Sequence, residues 1–113
     1  MRSTITTHFL DTRLGKPAAG IAATLEIRRP MGLEVLAQGV TDEDGRIPDF
    51  LTTDALSAGV YQVKFETGAY FRAAGIRGFY PEVKIVFEVE AGAGHYHVPL
   101  LLSPFGYSTY RGS

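Results

Sequence analysis

The stretch IAATLEIR (Ile21–Arg28) decides the class of fold. Ile21, Ala23, Leu25 and Ile27 fall on one side of an extended chain, and Ala22, Thr24, Glu26 and Arg28 fall on the other. Successive side chains of a strand point to opposite faces, so this alternation marks a half-buried β-strand. The same rhythm recurs outward in both directions. Upstream, Ser3–Asp11 is rich in threonine and β-branched residues. Downstream, Glu34–Thr41 follows the breakers Pro30 and Gly32. Val60–Thr67 puts Tyr61, Val63 and Phe65 on one face, and Glu82–Glu90 does the same with Val83, Ile85, Phe87 and Val89. His95–Leu102 and Tyr107–Tyr110 complete the set, with Ser103-Pro104 and Gly106 turning between them. Asp49–Ala58 is weakly patterned and reads as a short strand and a loop.

Between strands, LGKPAAG (Leu14–Gly20) reads as a loop. TDEDGR (Thr41–Arg46) reads as a turn, because Gly45 takes positive φ at little cost. AYFRAAGIRG (Ala69–Gly78) breaks the alternation and predicts about two helical turns, ended by Gly75 or Gly78. A parallel sheet would need a helix after nearly every strand. One helix among about seven or eight short strands points instead to an all-β antiparallel sandwich.

A chain of 113 residues is expected to form one domain, spanning 1–113, with a single core. The formal charge of −1 gives no electrostatic footprint for nucleic acid or an anionic membrane surface. No apolar run approaches the ~20 residues that span a bilayer. The absence of cysteine excludes disulfides, thiolate metal sites and a cysteine nucleophile, and fits a reducing compartment. The opening MRSTITTHFLD shows no secretory signal, so a cytoplasmic location is the expectation.

The chemistry concentrates at the end of the chain, HYHVPLLLSPFGYSTYRGS (His95–Ser113). In a strand, His95 and His97 share one face, while Tyr96, Val98, Leu100 and Leu102 enter the core. Two surface imidazoles on an edge strand would explain the pair without any function. That is the favoured reading of the pair alone, although two imidazoles on one face are also a start on a zinc site, which needs a third ligand. The third histidine of the chain is His8, which shares its face with Thr6 and Leu10, opposite Ile5, Thr7 and Phe9. Whether the three meet depends on strand pairing.

Three patches resemble the transthyretin-related family and, within it, the 5-hydroxyisourate hydrolases. They are ITTHFLDTRLGKPAAG (Ile5–Gly20), TDEDGR and the His95–Ser113 tail. YQVKFETGAYFRAAG and FYPEVKIVFEV between them also look like the family. The resemblance implies a sandwich of two four-stranded sheets with one short helix. It also implies a homotetramer, a dimer of dimers with active sites at the dimer–dimer interface. The implied reaction is metal-free hydrolysis of a ring amide of 5-hydroxyisourate, with no cofactor. Carried onto this chain, the site comprises His8, Arg46, His95, His97 and Ser113 as catalytic groups. Tyr110, with His8, Arg46 and Ser113, would hold substrate, and Arg111 would anchor the tail. Vertebrate transthyretin, a thyroid-hormone carrier, shares the LLSPxxYST segment but lacks the histidine pair and the Tyr-Arg-Gly-Ser ending. A carrier without hydrolase activity is therefore the competing expectation.

Overall fold

The structure is a computed structural model that describes residues 3–92 and 94–112. Its elements are β1 (Ser3–Asp11), β2 (Lys16–Pro17), β3 (Ala22–Arg29), β4 (Gly32–Val40), β5 (Leu51–Thr53), β6 (Gly59–Phe65), α1 (Thr67–Ala73), β7 (Val83–Val89), β8 (His95–Ser103) and β9 (Gly106–Thr109). One sheet runs β4-β3-β6-β7. The other runs β2-β1-β8-β9, with β5 also paired to β1. The inner faces of both meet in one core built on Ile5, Phe9, Leu25, Val63, Phe65, Leu100 and Leu102. The inward set of β3, Ala23, Leu25 and Ile27, is the apolar side of the alternation that opened the sequence.

The second sheet corrects two details of the sequence reading. It contains five strands rather than four. β5 pairs Ser3–Ile5 and β2 pairs Leu10 and Asp11, both along the edge of β1 that β8 leaves open. The two short pieces thus fill one lane, and the stretch read only as a loop supplies β2. The second correction is that β1 and β8 run parallel, in register from Thr4↔His95 to Asp11↔Leu102. A parallel pair usually needs a local crossover helix. Here the connection is residues 12–94, which build the whole opposite sheet, so no such helix is required.

The helix begins two residues earlier than the alternation suggested. Thr67 Oγ1 donates to the Tyr80 carbonyl at 2.8 Å and ties the first turn to the next loop. Its end is the expected one. Gly75, at φ 70°, donates to Arg72 O, and Ile76 N–H donates to Phe71 O. This pair of bonds satisfies the last carbonyls and needs a left-handed residue at Gly75. The helix is fastened to the sheet through Tyr70, whose hydroxyl donates to the buried Asp11 carboxylate at 2.7 Å. Burial and that carboxylate push the Tyr70 phenol up to about 12. Among the described residues no helix is long and apolar enough to cross a membrane.

Candidate active site

Strand alternation and the β1–β8 register together build the site on the outer face of the five-stranded sheet. Thr4 lies opposite His95 and Thr6 opposite His97. Each threonine hydroxyl reaches the Nδ1 of its histidine, Thr4 to His95 and Thr6 to His97, the latter at 2.8 Å. The two imidazoles are held nearly parallel, at 7° with centroids 6.4 Å apart. His8 follows two residues after Thr6 and shares that face.

The turn after β4 brings Arg46 to the other edge of β1. Asp42 Oδ1 accepts from the Asp44 and Arg46 N–H groups at 2.9 and 3.1 Å, which closes the turn on itself. Gly45, at φ 74°, lies against β1, where a Cβ would stand 2.3 Å from the Phe9 carbonyl oxygen. That close approach lets Phe9 N–H donate to Gly45 O at 2.7 Å, and Arg46 pairs directly opposite His8. Directly opposed residues project to one face, so Arg46 joins the histidines. His8 Nε2 lies 2.8 Å from the Asp44 carbonyl. A carbonyl only accepts, so Nε2 carries the hydrogen and the neutral ring keeps its lone pair on Nδ1.

The chain end extends the lane of β9. Gly112 N–H donates to His97 O at 2.9 Å, and a Cβ at Gly112 would fall 2.4 Å from His97 Cδ2. The glycine is needed here for space. Arg111 turns to the inner side and sets its guanidinium 4.6 Å above the Tyr96 ring. That cation–π contact anchors the tail, as the sequence suggested for Arg111. Tyr110 is exposed beside this contact. Ser113 lies outside the described residues.

These parts enclose an open cleft of ≈ 500 Å³ lined by Thr6, Thr7, Asp42, Arg46, Ile47, Pro48, Asp49, His95 and His97. His97 also lines a smaller space of ≈ 230 Å³ beneath the tail, with Tyr96, Tyr110 and Arg111. Arg46, His95 and His97 therefore share the main cleft. His8 is not among the lining residues; it stands next to the cleft only through its pairing with Arg46, and Tyr110 belongs to the adjoining space. Burial lowers the His97 pKa, and the Arg46 cation, followed by the neighbouring His8 and His95, lowers it further. His97 is thereby neutral near pH 7, with a nitrogen able to take a proton. Among the described residues, no three His, Asp or Glu side chains gather closely enough to hold a metal ion. Asp49 carries the one positive φ of a non-glycine residue among the described residues, 53°, at the cleft wall.

Sequence reasoning missed Thr4 and Thr6 as histidine partners, and Tyr96 as the platform for Arg111. Period two placed Thr6 on the face of His8, but only the β1–β8 pairing assigns it to His97.

The chain matches the HIUase/Transthyretin family over residues 5–112. It is 45% identical over 109 residues to 5-hydroxyisourate hydrolase of Salmonella dublin, covering 96% of this chain and 80% of that one. Its backbone resembles that of Klebsiella pneumoniae 5-hydroxyisourate hydrolase, with TM-score 0.83 and 41% identity over 98% of this chain and 100% of the other. It equally resembles transthyretin from Sparus aurata, with TM-score 0.89 and 36% identity over 96% and 95% of the two chains. By this match, which spans nearly the whole chain, the chain belongs to the HIUase/Transthyretin family.

Proposed function

We infer that the chain is a 5-hydroxyisourate hydrolase, which opens the N1–C6 ring amide to give 2-oxo-4-hydroxy-4-carboxy-5-ureidoimidazoline. The observation that carries this reading is a half-buried imidazole, His97, kept neutral beside the Arg46 cation in one cleft. The hydrolases at 40–45% identity supply the substrate. Backbone similarity alone does not choose between enzyme and carrier, since transthyretin superposes as well as the hydrolase does. The cleft chemistry does, because a carrier needs neither a poised base nor an oxyanion partner.

In this mechanism neutral His97 takes a proton from water as the water oxygen bonds to C6. Arg46 holds the planar substrate and stabilises the negative charge that develops on the C6 oxygen. The C6–N1 bond then breaks, and the imidazolium returns its proton to N1. The new carboxyl group ionises in water. His8 orients water or substrate through Nδ1, and His95 adds a hydrogen bond beside it. Tyr110 and Ser113 close the substrate side of the site. No metal or cofactor enters these steps. A homotetramer would cover the open side of the cleft and the tail, which agrees with Phe105 and Tyr110 being 70% and 59% exposed in the single chain. The cysteine-free composition favours a cytoplasmic setting.

The test is hydrolysis in H₂¹⁸O with a chelator present. One ¹⁸O in the product carboxylate, formed faster than without protein, is the expected result. Enzyme-independent product formation would contradict the reading.

A further inference from the structure

We propose that Thr6 is a positioning residue for this hydrolysis: its Oγ1 accepts the Nδ1–H of His97, so that the Nε2 lone pair is presented to the cleft. The inference rests on the hydrolase reading and deepens it. Three observations carry it. Thr6 Oγ1 and His97 Nδ1 are 2.8 Å apart across adjacent positions of the parallel β1–β8 ladder. The arrangement repeats one step along the ladder in Thr4 and His95, which gives the two rings a common orientation. Thr6 itself lines the cleft, so its own O–H remains available to water or substrate while its lone pair holds the ring.

The choice of a hydroxyl has a chemical consequence. A carboxylate at this position would also fix the ring, but its negative charge would favour imidazolium. Threonine orients the imidazole without adding charge, and its β-branched side chain has restricted χ1 in a strand. The charged or titratable groups acting on His97 are then Arg46, His8 and His95, and the carboxylates of Asp42 and Asp49 line the same cleft. His8 is held in the opposite tautomer, because its Nε2–H is committed to the Asp44 carbonyl. The two histidines thus keep their lone pairs on different nitrogens, His8 on Nδ1 and His97 on Nε2.

The experiment compares the unaltered protein with Thr6→Val and Thr6→Ser. Imidazole ¹⁵N chemical shifts of the substrate-free protein report the His97 tautomer directly, and steady-state kinetics report kcat and KM. The proposal expects the Nδ1–H tautomer in the unaltered protein and a shift toward Nε2–H in Thr6→Val. It expects kcat of Thr6→Val to fall about ten- to a hundredfold with KM little changed, and Thr6→Ser to recover most of the loss. An Nε2–H tautomer in the unaltered protein, or wild-type kcat in Thr6→Val, overturns it. The tautomer of the unaltered protein needs no variant, so a Thr6→Val chain that fails to fold leaves the proposal open to refutation. Absence of turnover in the unaltered protein, with the Nδ1–H tautomer present, would fault the hydrolase reading and spare the positioning role.

Discussion

At His97, burial and neighbouring positive charge act in one direction. Both disfavour imidazolium, so the ring titrates below the ordinary histidine value of 6.5. The neutral form is the base, so kcat/KM should be level at neutral pH and fall as pH drops through a pKa below 6.5. Stability follows the same sign. The unfolded chain binds the proton more readily, so the contribution of neutral His97 is present above about pH 6.5 and is lost as pH falls through the lower folded value. Arg46→Gln removes one lowering cause and leaves burial in place. An NMR titration of that variant should show His97 moving upward, toward 6.5. His97→Asn should lower turnover by about 10²–10⁴-fold without unfolding the protein, measured as kcat beside a thermal melt. Wild-type kcat in His97→Asn would remove His97 from the chemistry. The histidine pair His95 and His97 stood out by its spacing, whereas His8 and Arg46 read alone as a strand and a turn residue and became site candidates only through the family resemblance. Thr6 was not legible, because its role depends on a partner 91 residues away.

Among the elements, the turn Thr41–Arg46 and the tail decide whether the site is assembled. Gly45 combines φ 74° with backbone 2.3 Å from where a Cβ would sit. Gly45→Ala should therefore cost about 1–3 kcal/mol and displace Arg46 from His8, lowering both the melting temperature and kcat. The turn was legible because Asp-Gly has a conformational meaning. Its docking on β1 was not, because that is a contact between distant segments. Along the tail, Tyr96→Leu should release Arg111 and with it the Gly112–His97 pairing. The expected readout is a loss of activity together with a modest fall in melting temperature, since Tyr96 also packs against the core and its hydroxyl accepts from Glu90 N–H. Equal activity in Tyr96→Leu and the unaltered protein would leave the tail held by other contacts. The helix shows the same division. Its glycine end was readable, whereas its start depends on Thr67 reaching Tyr80 and Gly68 packing on Pro81.

For the whole molecule, alternation sufficed to identify two packed sheets, because each strand has one apolar side. It could not reveal the parallel β1–β8 pair, which depends on how the chain closes around its own opposite sheet. That pair is what brings the two ends of the sequence into one cleft. The assembly should close the open side of the cleft, so light scattering should give four times the mass of one chain. Deleting Tyr110–Ser113 should abolish most activity, and normal catalysis by the shortened chain would make the tail purely structural. The most direct measurement is optical. 5-Hydroxyisourate is generated in place from urate by urate oxidase, and its ultraviolet absorbance is followed with and without the protein, with a chelator present. Decay accelerated in proportion to protein concentration is the predicted result. Decay at the spontaneous rate, from protein shown to be folded, would contradict the hydrolase reading of the cleft.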